Sequence, residues 1–163
     1  MSGEIESKLE AMGLTLPEPW TYPSGNRRGC VRVGPILYLS GHGPEPPDLP
    51  GVRQRGKLGV DVTPEEGYAT ARAVALLMIA TLKAETGDLD KVKRVVRLFG
   101  MVNSSPEFEQ FPAVIDGASD LFYELWGPER GRHARTAIGA GGLPRGIVVE
   151  INGEFEVENR VTR

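Results

Sequence analysis

The 163-residue chain predicts an α+β fold, a mixed sheet with two helices packed on one of its faces. Three observations carry the prediction. Two helical segments each have an opening signal and a glycine stop. A long β-type run lies between them, and shorter β-type runs lie before the first helix and after the second. A helix between strands on both sides of a long central strand suggests crossover connections, which place both helices on one layer.

Residues 4–12 (EIESKLEAM) put Ile5, Leu9 and Met12 on one helical face, and Gly13 is a natural stop. The proline-rich stretch LPEPWTYPSG reads as an irregular connector. Residues 29–40 (GCVRVGPILYLS) form two β-type runs around Gly34-Pro35, a hairpin pattern. Pro, Gly and charge dominate residues 41–59, a long loop of the kind that covers a surface or serves function. Thr63-Pro64-Glu65-Glu66 opens the first helix: Thr63 as cap, Pro64 at the first helical position, Glu66 completing a capping box. Residues 68–82 are apolar nearly all round, so this helix should be well buried, and Thr86-Gly87 ends it. Residues 91–102 read as one strand whose alternation sets Val92, Arg94, Val96 and Leu98 on one face and Lys93, Val95, Arg97 and Phe99 on the other. Ser104-Ser105-Pro106 opens the second helix with Ser105 as cap, or Pro112 marks its true start, and Gly127-Pro128 closes it. Residues 133–140 are a strand, 141–144 a turn, and 147–157 the last strand. Helices on one side leave the other sheet face bare, which points to self-association.

Composition narrows function by exclusion. Apolar residues are 40% and charged residues 25%, ordinary globular values. The net charge of −3 opposes the long-range attraction on which nucleic-acid binding depends. Cys30 is the single cysteine and His42 and His133 the only histidines, so neither an internal disulfide nor a typical zinc site is expected. There is no secretory leader pattern and no apolar run of about 18 residues, which suggests a cytoplasmic protein without a membrane partner. Gly139-Ala140-Gly141-Gly142 sits between two strands rather than before a helix, so it reads as a turn and not a phosphate loop.

ILYLSG at 36–41 and ARTAIGAGGLPRGIVVEI at 134–151, with Val102-Asn103 ending the long strand ahead of Phe108, resemble the RidA (YjgF, "endoribonuclease L-PSP") family. The branch it resembles carries Ser-Gly-His and a longer middle loop. The order of elements matches over residues 22–158, so the chain reads as one RidA-like domain with residues 1–20 as a helical extension and 43–60 as an elaboration. The resemblance implies a chorismate-mutase-like fold and a homotrimer with pockets between subunits. Its best-known members hydrolyse 2-imino and enamino acids to 2-keto acids and ammonia without a cofactor. Others are described as ribonucleases, and others only bind ligands.

Carried over residue by residue, Arg135 matches the arginine that grips a substrate carboxylate, a task suited to a planar guanidinium with parallel donors. Ser40 and Gly41 match a pocket-lining pair at a strand end, Tyr22 a tyrosine before the hairpin, and Asn103 an asparagine after the long strand. Ala137 stands where deaminases often have Cys. The glutamate thought to position the attacking water falls at Asn152, which cannot act as a base. Glu150, Glu154 or His42 would have to replace it. Arg130, Arg132 and His133 could form a basic rim beside Arg135. Three functions stay open: imine hydrolysis, binding of a small carboxylate metabolite without turnover, and RNA cleavage, the last opposed by the charge balance.

Overall fold

The structure, a computed structural model, describes residues 3–44 and 51–159. In chain order it contains α1 (Glu4–Ala11), β1 (Cys30–Val33), β2 (Ile36–His42), α2 (Pro64–Thr86), β3 (Val92–Asn103), α3 (Phe111–Arg130), β4 (Ala134–Ala140) and β5 (Val149–Val157). Short 3-10 turns precede β3 and β5. The strands form one five-stranded sheet in the order β1-β2-β5-β3-β4, with β3 and β4 parallel and the other neighbours antiparallel. The parallel pair is joined through α3, as a crossover requires.

Local chemistry explains most boundaries. Gly34 takes φ 59°, which lets the β1–β2 hairpin close. The Thr63–Glu66 capping box is complete: Thr63 Oγ1 accepts from the Glu66 amide at 3.1 Å, and the Glu66 carboxylate accepts from the Thr63 amide at 2.9 Å. The second helix begins at Phe111, with Pro112 in its first turn, and Ser105 is not its cap. The Ser105 amide donates instead to Leu58 O, and Phe108 folds back on Ser105 in a turn. Gly127 kinks this helix, which runs on to Arg130. Helix α1 docks on the domain through Asp90, whose carboxylate accepts from the amides of Glu4 and Ile5 at 2.7 and 2.9 Å while Ile5 and Leu9 are buried.

The simple alternation expected for β3 fails in its first half. Two register shifts against β5, between Val92 and Arg94 and between Val95 and Arg97, make the buried residues Val92, Val95 and Leu98 three apart. Each bulge adds a residue and resets which side chains face the core.

The core lies between the sheet and the α2–α3 layer, with Phe122 and Phe155 at its centre, ring centroids 5.4 Å apart. Two glycines permit the close layering. A Cβ on Gly117 of α3 would lie 2.0 Å from Tyr68 O of α2, and one on Gly100 would overlap Ile115. Among the described residues no helix covers the opposite face of the sheet. It carries Val31, Val33, Tyr38 and Ile138, each 41–61% exposed, together with the Arg97–Glu154 ion pair. An apolar face of this kind is consistent with self-association.

Gly117→Ala should therefore push the two helices apart and lower stability by about 1–3 kcal/mol, the usual cost of overpacking. Urea unfolding of the variant would measure it; an unchanged midpoint would show that the α2–α3 contact can relax freely.

Candidate functional site

The site begins with a bulge. Leu39 pairs with Gly153 and His42 with Ile151, so three steps along β2 face two along β5, and the extra residue falls at Ser40–Gly41. The shift turns His42 into the core, where it is 1% exposed. Its Nδ1–H donates to Ser40 O at 2.6 Å, and its Nε2 lies 2.8 Å from the Thr81 hydroxyl. Burial holds the imidazole below its ordinary pKa. Both ring nitrogens are occupied, and His42 stands inside the fold rather than in a pocket.

Ser40 is also tied down: its hydroxyl donates to Arg28 O at 2.6 Å. Gly41 is the informative member of the bulge. A Cβ there would sit 2.7 Å from Glu150 Oε2, so only glycine leaves the Glu150 carboxyl its place. Tyr22 approaches from the other side and donates its hydroxyl to Gly41 O at 3.0 Å. Glu150 itself is half-buried and has no hydrogen-bond or ion-pair partner among the described residues. Burial raises its pKa above the usual carboxylate range, with the Arg145 charge opposing. Glu154, two residues on, is held by Arg97 at 2.9 and 3.0 Å and is not a free base. Asn152 lies between them on the open sheet face, opposite Phe99.

Arg135 belongs to a second group. It projects from β4 on the helix side with Ala137 and Gly139, the position at which a Cβ would meet Phe111. Its Nη1 donates to Asp116 Oδ1 at 2.6 Å and to Ser119 Oγ at 3.2 Å, both on α3. Its Nη2 and Nε have no partner among the described residues. His133 completes the chain. Gly131 O can only accept, so His133 Nδ1 carries the proton, and Nε2 accepts from Ser119 at 2.9 Å. Burial lowers the His133 pKa; the Gly131 bond opposes this and the Arg135 charge adds to it. A cleft of about 270 Å³ opens over Ser119, His133 and Arg135. Asp116 and Ser119 do not appear in the motif reading, although two polar residues three apart in an apolar helix were the available signal. Arg130 does not reach this cleft: it donates to Val92 O at 2.9 Å.

The two groups do not meet within one chain. β4 and β5 flank β3, Arg135 sits level with Leu98 and Glu150 with Met101, and their side chains leave opposite faces of the sheet. Asn103 joins neither. It is buried, donates to Ile147 O at 3.0 Å and accepts from Lys57 Nζ at 2.6 Å.

Metal ligation has one geometric candidate among the described residues, Glu6 with Asp88 and Asp90. Those carboxylates already accept from Lys83 and from the amides of Leu89, Asp90, Ile5 and Glu4, so they serve to dock α1. No described helix is long and apolar enough to cross a membrane.

A two-layer α+β fold with two helices over a mixed five-stranded sheet in the order β1-β2-β5-β3-β4 defines a recognisable class. Residues 6–150 match the family model described as "YjgF/chorismate_mutase-like, putative endoribonuclease", and the chain belongs to this YjgF, or RidA, family. It is 42% identical over 158 residues to Protein TCP17 of Trypanosoma cruzi, covering 97% of each. Among solved structures it is similar to Atu1372 of Agrobacterium tumefaciens (36% identity, 95% of this chain and 94% of that one, TM-score 0.84). It is equally similar to a Shewanella oneidensis MR-1 protein that carries the same endoribonuclease description (36%, 95% and 100%, TM-score 0.86). RidA of an Antarctic Psychrobacter shares the fold at 20% identity, with a TM-score of 0.52 over 84% of this chain and 93% of that one.

The raised pKa of Glu150 has a signed consequence. The folded state holds this proton to higher pH than the unfolded chain, so Glu150 favours folding below its ordinary value of 4.5 and loses that contribution as pH rises through the folded value. Glu150→Gln should be more stable than the parent at pH 7, with the gap closing below about pH 4. Thermal melts at both pH values would check it; a variant less stable at pH 7 would mean that the ionised carboxylate has a stabilising partner.

Proposed function

We propose that this protein hydrolyses small 2-imino or enamino acids to 2-keto acids and ammonia, in the cytoplasm, as a homotrimer associated through the open sheet face. The observation that carries the reading is the free Glu150 carboxyl beside Gly41, on the opposite face from Arg135. A substrate that needs both groups has to lie between two copies of the chain.

The chemistry suits the parts. Nη2 and Nε of Arg135 are free for a bidentate grip on the substrate carboxylate, while Asp116 and Ser119 hold the guanidinium through Nη1. The carboxylate form of Glu150 takes a proton from water as the oxygen adds to the carbon of the protonated imine, whose π pair moves onto nitrogen to give the neutral carbinolamine. The same carboxyl then gives its proton to the carbinolamine nitrogen, the C–N bond breaks to release ammonia, and the hydroxyl proton passes to the Glu150 carboxylate and on to solvent as the C=O bond forms. A carboxyl raised by burial is better matched to this exchange than an ordinary one. Glu150 thus takes the place expected at Asn152, and hydration of C=N needs proton transfer only, with no cofactor. Tyr22 and the Gly41 backbone define the wall next to Glu150.

The test uses an amino-acid oxidase to generate 2-imino acids and follows keto-acid release. Arg135→Ala and Glu150→Gln should each lower the acceleration by about a hundredfold or more. Subunits of the two variants mixed and reassembled should recover activity, because some interfaces then pair an intact Arg135 with an intact Glu150. Loss without recovery on mixing would place both groups in one chain's site and overturn the shared pocket. No acceleration by the parent, with carboxylates still bound in an Arg135-dependent way, would make the protein a binding module.

A further inference from the structure

A larger cavity than the cleft over Arg135 lies elsewhere, beyond the C-terminal ends of β3 and β4. Its volume is about 600 Å³, within the range of small-molecule sites. Phe111, Val60 and Pro106 supply apolar walls, and the backbone of residues 139–141 forms another side. Gly139 keeps the space open, since a Cβ there would reach 2.4 Å from the Phe111 ring and 3.0 Å from Ser104 Oγ. It is four residues from Arg135, about 13 Å along the strand, so this cavity is separate from the cleft over Arg135.

Two polar groups in it have unfilled capacity. Ser104 is only 6% exposed and lines the cavity, and its hydroxyl has no hydrogen-bond partner among the described residues, so it is available to a guest. Lys57 Nζ donates to Asn103 Oδ1 at 2.6 Å and to Gly141 O. That leaves one N–H unused, and no carboxylate among the described residues pairs with the ammonium. Asn103 is itself anchored by Ile147 O, so the positive charge is held at a fixed point on the cavity edge.

The geometry points to a second ligand site here, which takes a small amphipathic monocarboxylate: an aryl or short alkyl body against Phe111 and Val60, and the carboxylate between Lys57 and Ser104. One ammonium without a second cation fits a monoanion rather than a phosphate dianion. The site is independent of the imine-hydrolysis reading.

Benzoate is the probe and benzyl alcohol its neutral control. Full-length Arg135→Ala protein removes the other carboxylate grip, and the backbone amide signals of Ser105, Gly139 and Gly141 report on location. Benzoate should shift these three amides saturably and more tightly than benzyl alcohol. Lys57→Met should weaken benzoate by about tenfold or more and leave the alcohol unchanged, and Lys57→Arg should keep most of the affinity. Lys57 also ties its loop to β3, so Ser104→Ala, which removes the hydroxyl and adds no bulk to the cavity, serves as the second variant and should weaken benzoate by about fivefold. The proposal is overturned if the three amides stay still, if benzoate and benzyl alcohol bind alike, or if folded Lys57→Met and Ser104→Ala both bind benzoate as tightly as the parent.

Discussion

Much of the architecture around Glu150 hangs on one backbone irregularity, the bulge at Ser40–Gly41 against β5. Continued alternation from Leu37 and Leu39 would send residue 41 into the core and His42 to the open face. The extra residue reverses this. His42 enters the core and finds Thr81, while Gly41 comes out beneath Glu150, where no side chain fits. The same bulge aims Gly41 O at Tyr22 and anchors the connector that precedes β1. Shape and chemistry are coupled at this point: the glycine makes room for a half-buried carboxyl, and burial raises its pKa against the opposing charge of Arg145.

The second consequence concerns the number of copies. A sheet with helices on one side offers two chemically different faces. Arg135 exits on the helical side, where Asp116, Ser119 and His133 organise it, and Glu150 exits on the bare side. Strand β3 separates them, and no rotamer change carries a side chain through a sheet. Association through the bare face would hide Val31, Val33, Tyr38 and Ile138 from water and could bring one copy's Glu150 towards another's exposed edge strand β4. Hydrophobic burial and completion of a site would then favour the same assembly.

Legibility in the sequence followed the range of the interactions. The capping box at Thr63–Glu66, the Gly34 hairpin turn and the buried α2 depend on neighbours a few residues apart and could be read directly. The bulges in β3 and β2 depend on pairing with a strand 50 or more residues away, here β5, and two-residue periodicity cannot encode them. The expected faces of Arg94, Val95 and Val96 and the pocket position of His42 failed for this reason. Ser105 was misread because its cap-like surroundings serve a contact with Leu58, and Asn103 because its partners, Lys57 and Ile147, are distant in sequence. Arg135 is singled out by its motif, but Asp116 and Ser119, which accept from its guanidinium, carry no local signature.

The loop at 41–59 shows how a segment with no periodicity can still be structural. Residues 45–50 lie outside the described residues, but from residue 51 onward the chain is bonded into the domain. Arg55 bridges to Ile147 and Leu58 to both Val62 and Ser104, while Leu58 is fully buried. Arg53 contacts Glu66, and Asp61 accepts from the Lys57 amide at 2.7 Å. Such a segment is a wall, not a free lid. It holds Lys57 across the ends of β3 and β4, and with Phe111 at the start of α3 it encloses the 600 Å³ cavity. The late start of α3 belongs to the same construction. A helix that began at Ser105 would run through the space now bounded by Ser104, Pro106 and Phe111, so the turn at residues 105–108 is what leaves the cavity open.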